Sequence, residues 1–249
     1  MKVGLTGGSG FIGRHIESAL RSVSGGIKIS LFDRPQGDIL TGEAVKKFVS
    51  GKDVIIHAAA VNRGTDIEII SASVVGTYNL IKAVEGLKKK PKIIFLSSIQ
   101  SGNGTVYGSS KRLAEMMLED HAKRHNAPVT VFRLTNVFGE GSRPFYNTVV
   151  ATFCYQVAHG QKITLNPESR NRSLDLLYVG DAAAMIAKEA VRKRRQSYYL
   201  KTLSSHSEIT VGRLAALIFS FGSGSKKEKA LSGLERKLHQ TYKYFENGK

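Results

Sequence analysis

The 249-residue chain is predicted to be an α/β protein, a doubly wound parallel sheet of the Rossmann-like kind with a small C-terminal region appended. Three observations predict it. A short apolar strand runs through a glycine-rich turn straight into a helix in KVGLTGGSGFIGRHIESAL. Continuous apolar runs such as DVIIHAAA and VTVFRLTNVFG read as strands covered on both faces, the usual state of strands in a parallel sheet. Segments of helical period separate these runs, and strand and helix alternate six times before residue 140.

Length and composition bound the rest. A hydrophobic content of 41% suffices for a full core, in one large domain or one domain with an appendage. No apolar run approaches the roughly 18 to 20 residues of a membrane span, and Met1-Lys2 leads directly into the first strand, leaving no room for a signal peptide. Cys154 is the only cysteine, so no internal disulfide is expected, which suits a cytoplasmic protein. The net charge of +17 includes the clusters Lys88-Lys89-Lys90, Arg192-Lys193-Arg194-Arg195 and Lys226-Lys227-Glu228-Lys229, at loops or helix ends. Cations there complement helix dipoles and solvate a face. No nucleic-acid-binding motif accompanies them, and no nucleic-acid partner is expected.

Taken in order, Gly8, Gly10 and Gly13 satisfy GxGxxG, and Gly7, Gly10 and Gly13 equally satisfy GxxGxxG, between the first strand and a helix carrying Phe11, Ile12, Ile16 and Leu20. Such a turn lets backbone approach a pyrophosphate at a helix N-terminus, so a dinucleotide is expected here. The second strand, IKISLF, ends in Asp33, 20 residues after Gly13. An acid there accepts from ribose hydroxyls and favours NAD, whereas Arg34 next to it can hold the 2'-phosphate of NADP. Asp38 and Ile39 either face the adenine or start the next helix. DVIIHAAA then ends in small residues, including Ala58 and Ala59, that suit close packing on a cofactor; His57 reads as a core histidine, and Asn62 and Arg63 follow at the strand's carboxyl end. A long helix is expected over 66–87, then the strand KIIFLSS, then a helix from Tyr107 to about 126, stopped by Asn126-Ala127-Pro128.

Between those last two elements lie Ser98, Tyr107 and Lys111. Tyr107 and Lys111 are four residues apart and share a helix face, where an ammonium is expected to lower the phenol's pKa into an acid-base range. Ser98, at the strand end, can hydrogen-bond the same substrate oxygen. These are the parts of a proton-transfer site for a carbonyl or alcohol.

The motifs TGGSGFIG, LFD, HAAA, VVGTYNL, LSS, YGSSK, RLTNVFG and YVGDAA, in this order over residues 1 to about 190, resemble the extended short-chain dehydrogenase/reductases, the nucleotide-sugar epimerases, dehydratases and reductases. The resemblance implies that Tyr107 is the acid or base, that Ser98 binds the reacting oxygen, and that Lys111 lowers the tyrosine's pKa and holds the nicotinamide ribose. It also implies that Gly7, Gly10, Phe11, Ile12 and Gly13 bind the pyrophosphate and that Asp33, Asp38 and Ile39 face the adenosine. HAAAVNR, SSIQ, YNTVVATFCYQVAHGQKITLN and the tail from ITVGRL resemble more closely the reductase domain of CapF-type capsule-synthesis enzymes and their O-antigen relatives. That group reduces a UDP-linked 4-keto-6-deoxy sugar, prefers NADPH, and carries a metal-containing cupin domain that would begin where these 249 residues stop.

The resemblance implies a homodimer through the helices 66–87 and 107–126, a Rossmann core over 1–165 and a substrate-side region over 166–249 within one compact unit. Asn136, Arg143 and Asn147 are candidates to hold a nucleotide-sugar substrate, with Arg143 equally a solvated loop charge. Arg172 is a candidate phosphate ligand, although the family's usual arginine falls where this chain has Leu174. ITLN is expected to be a short strand, Asp181 to cap a helix, and the tail to form two amphipathic helices with Leu234, Leu238 and Tyr242 facing inward. His121 and His125 are one helical turn apart without the acid of an HExxH motif, so no metal site is expected. An NAD(P)H-dependent reductase of a nucleotide-linked 4-keto-6-deoxy sugar is the leading expectation. An epimerase or dehydratase with tightly held NAD is the alternative, weakened because Ile99 and Gln100 follow Ser98 where a dehydratase carries an acid-base pair. A non-catalytic dinucleotide-sensing partner protein is a further alternative.

Overall fold

The computed structural model describes residues 1–23, 25–35, 37–146, 148–193, 196–224 and 231–248. The chain begins β1 (Lys2–Thr6), α1 (Phe11–Val23), β2 (Lys28–Phe32), α2 (Gly42–Val49) and β3 (Val54–His57). It continues through α3 (Asp66–Ile70), a π-helical turn (Ser71–Val75), α4 (Gly76–Glu85), β4 (Lys92–Ser98), a 3-10 turn (Ile99–Gly102), α5 (Val106–His125) and β5 (Val129–Leu134). Then follow β6 (Asn136–Phe138), α6 (Val149–Ala158), β7 (Ser173–Tyr178), α7 (Val179–Val191), β8 (Tyr198–Leu203), β9 (Glu208–Thr210), α8 (Val211–Gly222) and α9 (Gly233–Glu246).

Two compact units emerge. Met1–Leu134 with Ala183–Leu203 form the first. Its six strands lie in the order β2-β1-β3-β4-β5-β8, with every pair parallel. Leu5 lies opposite Leu31 on one side and Ile56 on the other, and all but Leu31 are fully buried. Because successive strand residues face opposite ways, Ile55, Ile93 and Phe95 pack with Phe48, Leu80, Val84 and Leu118 from α2, α4 and α5. Ile16 and Leu20 of α1 and Ile186 of α7 are also fully buried but stand outside that cluster, on the other face of the sheet. The chain turns one way from β1 to β2 and the other way from β3 onward, so the strand order reverses between β1 and β3. Open α/β sheets hold ligands at the carboxyl ends of strands at such a point.

Thr135–Ala182 with Ser204–Lys249 form the second unit. Here β6 pairs parallel with β7 and β9 pairs antiparallel on its other side. Phe153 and Cys154 of α6, Leu214 and Ile218 of α8, and Leu238 and Tyr242 of α9 build one core with Leu176. Burial raises the pKa of the Cys154 thiol and keeps it protonated.

Several expectations are corrected. VTVFRLTNVFG is not one strand. It breaks at Thr135 into β5 and β6, which belong to different sheets and different units. The division therefore falls at 134/135 rather than 165, and residues 183–203 return to the first unit as most of α7 and as β8, an edge strand whose polar Lys201 and Thr202 hid it in the sequence. ITLN is not a strand, although Ile163 and Leu165 pack against the second core. The helix over 66–87 ends at Glu85 and carries one π turn, where the Thr77 hydroxyl donates to the Ser73 carbonyl at 2.6 Å. Asp66–Glu85 is also long and apolar enough, by length and composition, to cross a membrane, which the sequence reading missed because Asp66, Glu68 and Lys82 interrupt the run. Its Leu80, Ile81 and Val84 are instead in the core. Of the basic clusters, Lys90 donates to the Glu85 and Leu87 carbonyls at the end of α4, as a cation at a helix end should. Arg194, Arg195 and the cluster at 226–229 lie outside the described residues.

A buried ion pair anchors the start of β4. Lys92 Nζ lies 2.5 Å from Glu189 Oε1, with 9% and 4% of the two side chains exposed, and Thr130 donates to the same oxygen. Removing one member leaves the other charged and uncompensated. Glu189→Ala is expected to lower the unfolding free energy by roughly 3–5 kcal/mol, and Lys92→Met with Glu189→Leu to recover most of it; urea denaturation of the three proteins measures both.

Candidate active site

The glycine turn is built by close contact. Gly7 has φ +74°, which favours glycine, and Gly10 N–H donates to its carbonyl at 3.2 Å. A Cβ on Gly13 would stand 2.0 Å from the same carbonyl. Only a residue without a side chain lets α1 start this close beneath the turn. The helix opens at Phe11, so the N–H groups of Phe11, Ile12 and Gly13 form its N-terminus.

Around this turn lies a cavity of about 480 Å³. Gly7, Gly10, Asp33, Arg34, Asp38, Ile39, Ala58 and Ala59 line it, all named from the sequence as cofactor residues. Phe11, Ile12 and Gly13 do not; they form the start of α1 beneath the turn. Asp33 Oδ2 accepts from Ser9 N–H at 3.0 Å, tying the end of β2 to the glycine turn. The guanidinium of Arg34 is paired with Asp38, its Nε 2.9 Å from Oδ2. Asp38 Oδ1 also accepts from Leu40 N–H, so Asp38 shapes the turn ahead of α2 as well as facing the cavity. Ile67, Glu68, Ser71 and Ala72 complete the wall. The sequence reading missed them; the available signal was the capping box of Thr65 and Glu68, which marks a helix starting at the cavity. The cavity's apolar walls, its acid at the second strand end and the contact that only Gly13 permits all fit a dinucleotide.

His57 is a core residue, as expected. It is fully buried between the Thr6 and Thr77 hydroxyls, and burial lowers its pKa to about 3, so it stays neutral.

Ser98 ends β4, and its Oγ accepts from Gln100 N–H at 3.1 Å, starting the 3-10 turn. Thr105 caps α5 by accepting from Gly108 N–H. A Cβ on Gly108 would stand 2.1 Å from the Gln100 carbonyl, so the glycine of YGSSK lets the helix start press onto the turn and brings the half-buried Tyr107 to Ser98. Lys111 is 2% exposed; its Nζ donates to the Leu96 carbonyl at 3.0 Å and lies 5.9 Å from the centre of the Tyr107 ring. The expected lowering of the tyrosine's pKa is not found. Burial raises the phenol above its ordinary value, and a hydrogen bond with Ser98 opposes that rise. The lysine is the group pushed down, to about 8, by burial, with the Glu115 charge acting against it. Glu115, fully buried one turn beyond Lys111, was missed in the sequence; it accepts from Ser97 Oγ at 2.6 Å and from both Nε and a terminal nitrogen of Arg133.

The candidate substrate residues divide between the units. Asn62 and Arg63 are exposed beyond β3 in the first. In the second, Asn136 donates its amide to the Asp175 carbonyl and ties β6 to β7, Arg143 is exposed over the Tyr146 ring, and Arg172 is exposed just before β7. Leu174 is in the second core, so nothing there replaces the family arginine. Asn147 lies outside the described residues. Asp181 sits in the first turn of α7 and is paired with Lys237.

Residues 3–198 match the family described as the NAD dependent epimerase/dehydratase family. The chain is 34% identical to the UDP-2-acetamido-2,6-beta-L-arabino-hexul-4-ose reductase of Pseudomonas aeruginosa over 98% of its own length, and spans 65% of that protein. Among solved structures, CapF of Staphylococcus aureus, a capsular polysaccharide assembling protein, aligns with TM-score 0.80 and 27% identity over 98% of this chain and 65% of its own. The Bordetella bronchiseptica enzyme WbmF, solved with NAD+, aligns with TM-score 0.86 at 17% identity over 99% of this chain and 93% of its own, a likeness of fold.

The buried lysine has a consequence for stability. Between pH about 8 and 10.5 Lys111 is neutral when folded and charged when unfolded, so the unfolded chain binds the extra proton and this group favours folding increasingly as pH rises through that window. Its contribution to the slope is at most about 1.4 kcal/mol per pH unit. Lys111→Met is expected to remove it; unfolding free energies of both proteins from pH 7.5 to 10 measure the difference.

Proposed function

Because the chain belongs to the NAD dependent epimerase/dehydratase family, we propose that it is a cytoplasmic NAD(P)H-dependent reductase of a nucleotide-linked, UDP-type 4-keto-6-deoxy sugar used in surface polysaccharide synthesis. The observation that carries the reading is the placing of Ser98, Tyr107 and Lys111 at the carboxyl end of β4, the strand next to the β1/β3 reversal that holds the dinucleotide cavity. The 34% identity to a reductase of a UDP-linked hexulose supports the substrate class.

The nicotinamide supplies hydride to the sugar carbonyl carbon when bound. The chain's own residues handle the proton. Burial keeps the Tyr107 phenol protonated, the form needed to give a proton to a carbonyl oxygen as it becomes an alcohol. Ser98 Oγ accepts from Gln100 N–H and its hydroxyl is hydrogen-bonded to Tyr107, from which it would turn to donate to that same substrate oxygen as negative charge develops. Lys111, held by the Leu96 carbonyl, brings a positive charge to 5.9 Å from the centre of the Tyr107 ring and would be the residue that holds the nicotinamide ribose. Gly7, Gly10 and the N–H groups of Phe11, Ile12 and Gly13 take the pyrophosphate. Asp33 meets the adenosine ribose, and the pairing of Arg34 with Asp38 leaves that cation engaged, so NAD is favoured over NADP. Asn62, Arg63, Asn136, Arg143, Asn147 and Arg172 are the residues proposed to choose the sugar nucleotide.

Mixing the protein with UDP-linked 4-keto sugars and following NADH and NADPH absorbance in parallel tests chemistry and cofactor together. Net oxidation of NADH is expected, and no oxidation of either cofactor with any such sugar sinks the reading. Tyr107→Phe is expected to reduce turnover at least 100-fold with cofactor affinity retained; undiminished turnover would remove Tyr107 from the chemistry.

The reading includes a homodimer. Ile70, Val75 and Tyr78 on the Asp66–Glu85 run and Leu113 and Met116 on α5 are exposed apolar residues, the kind of surface that a partner helix pair covers. Light scattering is expected to give twice the chain mass of 27.2 kDa, and Met116→Glu to release a monomer. A monomeric wild-type protein at micromolar concentration is the contrary result.

A further inference from the structure

We propose that Glu85, His121 and His125 form a site for a divalent transition metal of the zinc class, clipping the end of α4 to the end of α5. In the sequence the two histidines stand one helical turn apart without the acid of an HExxH motif. The fold supplies the acid from the last residue of α4.

The three donor atoms lie within 4.8 Å of one another. Glu85 Oε1 is 3.6 Å from His121 Nδ1 and 3.2 Å from His125 Nε2. Donors around a tetrahedral zinc with bonds of ~2.0–2.1 Å stand ~3.3–3.4 Å apart, so two edges of the set are already close to the length the ion requires. The partly exposed His125 ring can turn to adjust the third edge, and its solvent side leaves a fourth position for water.

His121 points to a ligand independently. It is fully buried, its Nδ1 stands 3.6 Å from Glu85 Oε1, beyond hydrogen-bond distance, and neither ring nitrogen has a hydrogen-bond partner among the described residues. Buried polar atoms without partners are costly and uncommon; a metal bond at Nδ1 satisfies one. The other Glu85 oxygen accepts from Lys82 Nζ at 2.8 Å, which aims Oε1 at the two rings.

The ion would not take part in the reduction. Helices in βα units run against the strands, so the ends of α4 and α5 lie beside Lys92 and Val129, where β4 and β5 begin. Ser98 and the dinucleotide cavity lie at the opposite, carboxyl edge. The site ties two helices together, and its loss should show in stability and metal affinity.

Isothermal titration of the EDTA-treated full chain with zinc chloride, with thermal melts alongside, tests this. One Zn2+ per chain at micromolar affinity and a melting temperature that rises with zinc are expected. His125→Ala, at the partly exposed ligand, is expected to weaken binding at least tenfold, as is Glu85→Gln, while His159→Ala binds as the wild type does. A folded wild-type protein that takes up no zinc, or equal affinity in wild type, His125→Ala and Glu85→Gln, overturns the proposal.

Discussion

The missing side chain at residue 13 is the constraint on which the first unit depends. With 2.0 Å between the position of a Cβ there and the Gly7 carbonyl, any other residue would push α1 away from the turn that follows β1. The helix N-terminus, with the N–H groups it presents, would then leave the carboxyl end of the strand and the turn that lines the cavity. Asp33 reinforces the same turn by accepting from Ser9, so one carboxylate both shapes the loop and lines the cavity.

A second constraint governs β4. This strand carries buried charge at both ends: Lys92 with Glu189 at its start, and beyond its last residues Lys111 with Glu115 nearby. Charges removed from water demand partners and full hydrogen bonding, and both carboxylates have them. Glu115 binds Ser97, Arg112 and Arg133, drawing β4, α5 and β5 to one point. Ser98 follows Ser97, and Lys111 precedes Glu115 by one turn, so the network that satisfies a buried carboxylate also sets the two catalytic candidates that flank it. Gly108 completes the arrangement by letting α5 meet the turn after Ser98.

Much of this was legible in the sequence because it depends on neighbours along the chain. The glycine spacing, the acid ending β2, the small residues after β3 and the Tyr107-Lys111 spacing each follow from a turn or a single helix. What stayed hidden depends on residues distant in sequence. The wall formed by Ile67, Glu68, Ser71 and Ala72 exists because α3 begins at the cavity. Glu115 reads as one more acid on a charged helix until Arg133 and Ser97 close on it. The direction of the Tyr107 shift was misread because spacing shows a lysine nearby and not that its Nζ is directed to the Leu96 carbonyl while the phenol is buried.

Periodicity and punctuation therefore determined the class of fold, the glycine turn between β1 and α1, and the sharing of one helix face by Tyr107 and Lys111 shortly after Ser98, since all three are properties of contiguous chain. Tertiary structure decided where VTVFRLTNVFG breaks, which stretch returns as β8, which charges are buried and paired, and that Glu85 meets His121 and His125. The physical reason is the same in each case. Burial and pairing are set by what lies across the sheet or on the next helix, and no local pattern in one segment records its neighbour in space.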